Sequence, residues 1–333
     1  MHPALQGIIT IIVGVGGCIG YFYFSNQFLD KVLYPAKGPN ISRNINRANM
    51  IRPWLFLMPA LLALGLYLAY PVLETLRLSL TDRTQGGAFV GLDNYNQMFA
   101  EPKFWEAMRN NMFWLIVVPA FSTAFGLLAA QLTDRIKWGN LAKSLIFMPM
   151  AISFVGAAVI WKLVYDTRPI DQDQIGVLNA IYLFFGGTEP QNWLTIPLWN
   201  NFFLMIVLVW IQTGFAMVIL SAALRGVPED TIEAAIIDGA GPFQIFFKIK
   251  VPQIMGTIVV VWTTITLVVL KVFDIVFAMT NGQWETQVLA NYMYDKLFRA
   301  NDWGVGSASA MIIMLLVTPI LVWNVRNARN EMR

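Results

Sequence analysis

Side chains able to do bond-breaking chemistry are scarce in this 333-residue sequence. It holds one histidine, His2, and one cysteine, Cys18. Neither a Cys/His metal site nor a disulfide framework can be built from them. No clustered acid, base and nucleophile is visible, and no G-x-x-x-x-G-K-[ST] phosphate-cradling loop occurs. Cys18 sits in an apolar run and reads as a packing residue. What remains is a thin set of polar side chains inside apolar runs: Ser153, Gln212, Thr213, Thr263, Thr264, Thr266 and Lys271. Their chemistry is hydrogen bonding. A threonine can satisfy its hydroxyl on its own helix, whereas the Gln212 amide needs a partner. Lys271 and Asp274, at i and i+3, are placed to pair on one helix face. Lys162 can snorkel outward, and Glu74 lies near the end of a run. No carboxylate stands in the middle of a run, where ion-coupled carriers usually place one.

These side chains must be held by membrane helices. The chain is 57% hydrophobic and only 13% charged, with mean hydropathy +0.57. Soluble domains carry about 25% charged residues. The net charge of +3 is too small to imply nucleic acid, and the surroundings are membrane lipid. Apolar runs of about 20 residues predict spans near 4–24, 54–76, 112–132, 144–165, 200–223, 253–275 and 306–325. The first lacks a basic leader and a small-residue cleavage pattern, so it reads as a retained helix. Its Gly16-x-x-x-Gly20 spacing permits close helix packing. The expected fold is an all-α polytopic membrane protein with seven transmembrane helices.

Basic residues set the expected orientation. Segments 25–52, 133–143 and 224–252, with the C-terminal tail, carry fourteen lysines and arginines, against six in the alternate set. The first set is therefore assigned to the cytoplasm, with the N-terminus outside and the C-terminus inside. The alternate loops are rich in acids and carry Trp105, Trp193, Trp199, Trp284 and Trp303, as in an aromatic belt. Residues 1–52 form a helix and polar linker, and residues 53–333 form the main membrane domain. The stretch VLNAIYLFFGG in loop 166–198 is too short to span and is expected to lie as a surface helix.

The cytoplasmic segment 224–252 is unusual. Pro228, Glu229 and Asp230 suit a helix start. Ile232, Ala235 and Ile236 give it a short apolar face. Gly239 and Gly241 break the helix, and Pro242 starts another carrying Phe243, Phe246 and Phe247 on one side. Pro252 opens the next span. The product is a helix–turn–helix with an exposed apolar knob, which either enters a groove on a cytosolic partner or rests on the bilayer.

The spacing Glu233-Ala234-Ala235, three residues, Gly239, nine residues, Ile249, then Val251-Pro252, resembles the EAA signature of ABC importer permeases. Val251 departs from the commoner leucine. The run LRGVPEDTIEAAIIDGAGPFQIFFKIKVP is similar to the carbohydrate-uptake branch, closest to the larger membrane subunit of maltose and α-glucoside importers. The resemblance covers about 50–325, including LIFMPMAISFVGAAVIWKLVY and TNGQWETQVLANYMYDKLF, and leaves residues 1–49 outside. It implies a six-helix permease core plus one N-terminal helix. In this family the loop is a coupling helix seated in a cytosolic ATPase. The residues implied for that contact are Glu233, Ala234, Ala235, Asp238, Gly239, Ala240, Phe243, Phe246, Ile249 and Pro252. ATP and Mg would be bound by the ATPase, present in two copies, with no cofactor and no catalysis in this chain. A second permease, different or identical, and an extracytoplasmic solute-binding protein complete the implied assembly.

The implied substrate is a sugar, and its hydroxyls call for polar groups beside aromatic faces within the spans. The matching positions are Ser153, Gln212 and Phe215, with Trp210, Thr213, Thr266 and Lys271 nearby. Where maltose permeases carry asparagines on the sixth span, this chain has Val269 and Val272, which argues against maltose itself. An ion-coupled secondary transporter and a membrane scaffold are the alternatives. The former lacks its midplane carboxylate, and neither explains the paired cytoplasmic helices.

Overall fold

The structure is a computed structural model and describes residues 3–35, 41–82, 86–134 and 136–331. His2 and four cations of the charge count, Lys37, Arg83, Arg135 and Arg333, lie outside the described residues. The chain divides into two compact units, Met1–Glu74 and Thr75–Arg333.

The first unit holds α1 (Pro3–Phe28), extended by a π-helical turn at Leu29–Leu33. Then come α2 (Ile41–Leu64), a second π turn at Gly65–Ala69, and the start of α3 (Tyr70–Ser79). The stretches Leu5–Leu33 and Ile41–Ser79 are each long and apolar enough to cross a membrane. Among the described residues the most apolar part of each has no buried position, which is tolerable only in lipid or against another chain. The two helices touch through few groups. Tyr21 Oη donates to the Leu55 carbonyl at 2.9 Å, Phe22 stacks on Phe56, and Arg52 pairs with Asp30 at 2.6 Å. Two expectations change here. Among the described residues nothing outside α1 comes within 4 Å of a Cβ placed at Gly16 or Gly20, and Cys18 is exposed rather than packed. The second helix also begins near 41, well before 54.

The second unit opens with a two-stranded antiparallel hairpin, β1 (Thr81–Asp82) and β2 (Ala88–Phe89). It continues through α4 (Asp93–Ala100) into the 32-residue α5 (Pro102–Thr133). Packed along α5 is α9 (Trp199–Arg225), whose 27 residues span about 40 Å. The two cross closely because Gly126 has no side chain. A Cβ there would lie 2.4 Å from Ala216 Cβ and 2.8 Å from the Met217 amide nitrogen. Trp114, Val118, Leu208, Met217 and Leu220 are buried around this crossing. A second cluster joins Met98, Phe104, Leu289, Tyr292 and Val305.

Two expected spans are broken. The fourth apolar run forms α6 (Gly139–Phe147), a 3-10 turn at Met148–Ala151, and α7 (Phe154–Val164), bent by 106°. Pro149 lacks an amide proton, and Ser153 is extended (φ −64°, ψ 150°) and caps α7 through its hydroxyl. Between α7 and α9 lies α8 (Val177–Phe184), as the short apolar stretch suggested. After α10 (Glu229–Ile237), residues Pro242–Gln253 comprise α11 (Pro242–Gln244), a π-helical segment Ile245–Lys250 and α12 (Val251–Gln253). They meet α13 (Met255–Leu270) at 71°. The sixth span therefore ends at Leu270, short of 275. Lys271 is its C-cap, and Asp274 begins α14 (Asp274–Met279). The expected Lys271–Asp274 pairing on one helix face fails, because the helix stops between them; neither has an ion-pair partner among the described residues. The chain closes with α15 (Leu289–Tyr294), a π turn at Asp295–Arg299 and α16 (Trp303–Glu331). Among the described residues five helices are long and apolar enough to span, or up to seven if each bent pair is one span.

Candidate functional site: a cavity, a braced loop and an exposed corner

The breaks after α6 and α13 open a cavity of about 540 Å³ between α7, α9, α13 and α14. Its lining is mostly apolar, with Ser153, Gln212, Thr264 and Asp274 as its polar members and Phe215 as an aromatic face. That size falls within the usual range for small-molecule sites, roughly 300–1,000 Å³. The Ser153 hydroxyl accepts from the Gly156 amide at 3.1 Å. Gln212 is only 6% exposed, and its amide meets no hydrogen-bonding group among the described residues. Thr264 donates to the Val260 carbonyl at 2.8 Å.

The structure brings Ser153, Gln212 and Phe215 to one cavity and leaves the other four pathway residues off its lining. Thr213 and Thr266 donate to the Val209 and Trp262 carbonyls of their own helices, at 2.7 and 2.8 Å. Trp210 packs edge-on against Trp161, and Lys271 is exposed. Val269 and Val272 are buried in the core. Sequence reasoning missed Asp274 as a lining residue, because it assumed one unbroken helix through Lys271.

At one end of the α5–α9 pair lies the segment Thr280–Leu289. Asn281, Gly282, Trp284 and Glu285 all have φ between 53° and 70°. Left-handed backbone at non-glycine residues costs energy and persists only where its surroundings fix it. The bracing comes from both long helices. Asn110 donates to the Glu285 and Gln287 carbonyls, each at 2.8 Å. Asn111 accepts from the Leu289 amide at 2.8 Å. Asn200 donates to the Trp284 carbonyl, and Asn201 to that of Glu285 at 3.1 Å. The Trp284 and Glu285 side chains remain exposed.

At the other end, Asp134 follows α5 and collects three donors. Its Oδ1 accepts from Lys143 Nζ, from Ser221 Oγ at 3.0 Å and from Arg225 Nη2 at 3.0 Å. Lys143 also donates to Ser221 at 2.6 Å. Partial burial pushes the Asp134 carboxyl up, and the hydrogen bonds from Lys143, Arg225 and Ser221 more than reverse this, holding it below its ordinary value of 3.8. Both helices thus begin at the braced segment and finish at Asp134, so they run in the same direction.

Beyond Arg225 the chain forms the corner anticipated from sequence. Pro228 precedes α10, and Gly239 ends it with φ +83°. The Ala240 amide donates to the Ala235 carbonyl at 2.9 Å and the Gly239 amide to that of Ile236 at 3.0 Å. This double bond pattern is a Schellman stop. Among the described residues a Cβ at Gly239 would meet nothing within 4 Å, so glycine is required there by backbone conformation and not by crowding. Gln244 accepts from the Gly241 amide at 3.1 Å and fixes the next helix start. Ile237 and Phe243 are 84% and 80% exposed, and Ile236 and Phe247 are also open. Phe246 is half-buried, its ring edge-on to that of Phe247; with Ile232, Pro242 and Lys250 it lines a groove against Gln131 at the end of α5. Buried Lys250 reaches Gln131 Oε1 at 3.3 Å. Glu233, Ala234 and Asp238 are exposed, Ala235 is buried, Ala240 and Ile249 are half-buried, and Pro252 is exposed.

Comparison with known proteins gives this geometry a lineage. Residues 122–329 match the family described as binding-protein-dependent transport system inner membrane component. The alpha-glucoside transport system permease protein AglF of Rhizobium meliloti is 62% identical, over 99% of both chains. The osmoprotective compounds uptake permease protein GgtC of Synechocystis is 48% identical over 83% of this chain and 99% of its own. A chain of a bacterial ABC transporter involved in import of the acidic polysaccharide alginate shares the fold, with TM-score 0.73 at 19% identity, covering 87% of this chain and 98% of that one. The protein is a member of the binding-protein-dependent transport system inner membrane components.

Proposed function

We propose that this chain is a membrane permease subunit of an ABC importer for α-glucosides, forming part of the sugar's path and coupling it to a separate ATPase. The observation that carries this reading is the 62% identity, end to end, with an α-glucoside permease. The exposed apolar corner around Gly239 supports the coupling role. Ile237 and Phe243 project from a rigid turn, and so large an apolar knob calls for a cover. Two copies of a cytosolic ATPase, binding ATP and Mg, would receive this corner and its counterpart on a second permease subunit. Glu233, Ala234 and Asp238, exposed beside the knob, would make polar contacts there. Closure of the ATPase pair would move the corner, and Lys250 with Gln131 would pass that motion to α5.

In the same reading residues 53–333 are the permease domain and residues 1–52 an added helix with its linker. The chain has seven spans, counting each bent pair as one, with the N-terminus outside and the C-terminus inside. The braced segment around Trp284 then faces the side from which a solute-binding protein delivers sugar. Ser153, Gln212 and Phe215 are the substrate-facing groups, and Trp210, Thr213, Thr266 and Lys271 support the helices that carry them. Uptake of a panel of labelled glucosides by cells with and without this chain tests the proposal. Loss of α-glucoside uptake on deletion is the expected result; unchanged uptake across the panel contradicts it.

A further inference from the structure

Asp274 stands out within the cavity. Among the described residues it is the only ionisable side chain on the lining. The stop of α13 at Leu270 leaves it without an in-helix partner there, because Lys271 caps that helix and is exposed. Among the described residues no hydrogen bond or ion pair reaches the Asp274 carboxylate. A carboxylate within membrane helices is costly and persists where it faces a wet cavity or a partner. An ionised carboxylate only accepts hydrogen bonds, through two oxygens. On the same lining Gln212 offers one acceptor and two donors, and Phe215 offers a flat apolar face. This set suits a neutral ligand with adjacent hydroxyls and C–H faces, and it repels an anion.

We infer that Asp274 is a substrate contact, its carboxylate accepting hydrogen bonds from hydroxyls of a sugar passing through the cavity. The inference rests on the import reading above and adds to it a residue and a bonding mode. A hydrogen bond to a charged group contributes more than a neutral one, so losing it lowers transport efficiency by about tenfold or more.

The test uses the whole importer in proteoliposomes, with the solute-binding protein and ATPase present. ATP-driven uptake is measured for an α-glucoside and for its mono-deoxy analogues, each lacking one hydroxyl. The wild type should discriminate by about tenfold against at least one analogue, and Asp274→Ala should erase that discrimination while leaving the other analogues' ranking in place. Asp274→Asn keeps one acceptor oxygen and the side chain's size, so it should show intermediate discrimination and guards against an alanine variant that does not assemble. If both variants lower uptake of every analogue equally, or leave the pattern unchanged, Asp274 does not touch substrate and the inference is overturned while import stands. If the wild-type assembly moves no α-glucoside, the import reading fails and this inference falls with it.

Discussion

Asp134 and Arg225, 91 residues apart in sequence, meet at 3.0 Å and tie the end of α5 to the end of α9. Lys143 and Ser221 complete the cluster. This knot sits where α5 and α9 finish and where the exposed corner begins. It is therefore placed to keep those helix ends in register.

The first prediction concerns pH. The Asp134 carboxyl is held below 3.8 in the folded chain. A depressed carboxylate stabilises the fold fully above its unfolded value, and that contribution is lost as pH falls through the lower folded value. Asp134→Asn should therefore melt earlier than wild type at neutral pH, and the gap should close below about pH 4. Thermal unfolding of the purified protein in detergent at several pH values measures this. A gap independent of pH would show that the knot is not ionic.

The helix crossing gives a second. Gly126→Ala places a methyl against Ala216 and should cost about 1–3 kcal/mol. Adding Ala216→Gly should restore part of that loss, though not all, since the Met217 amide nitrogen also lies close. Melting of the two variants, singly and combined, reads the coupling; strictly additive losses would place the crossing elsewhere.

The Gly239 turn gives a third. A side chain at φ +83° strains the backbone by about 1–2 kcal/mol, and asparagine tolerates that conformation better than most. Gly239→Asn should retain more uptake than Gly239→Val. Gly239→Asp, which adds charge to the apolar knob, should reach the membrane at normal level yet lose both uptake and ATPase copurification. Equal uptake by all three would remove the turn from the coupling account.

Gln212 gives a fourth. Its buried amide finds no partner among the described residues and faces the cavity. Gln212→Ala should shift the affinity or selectivity of uptake by several-fold without lowering the amount of protein in the membrane. An unchanged substrate profile takes Gln212 off the pathway.

How far these features can be read from sequence depends on the range of the interactions that make them. The long helices are visible because lipid demands unbroken apolar runs. The corner is visible because Gly239 and Pro242 punctuate one. The break before Ser153 is harder to see, since Pro149 sits in a run whose hydropathy never falls. The stop at Leu270 is hidden because apolar residues resume on both sides of Lys271, and with it the place of Asp274 on the cavity lining. Asp134 gives no local signal at all; its role appears only when α9 brings Ser221 and Arg225 beside it. The bracing of Trp284 and Glu285 by Asn110, Asn111, Asn200 and Asn201 is likewise tertiary, although four asparagines at the starts of two apolar helices are a detectable oddity.

The central claim is that an exposed corner converts ATP hydrolysis by another chain into movement of an α-glucoside through this one. The direct measurement is accumulation of a labelled α-glucoside in proteoliposomes holding this chain, its partner permease, the ATPase and the solute-binding protein. The account predicts accumulation that requires ATP and all four proteins and that disappears with Gly239→Asp. Accumulation driven by an ion gradient without ATP, or undiminished by Gly239→Asp, contradicts it.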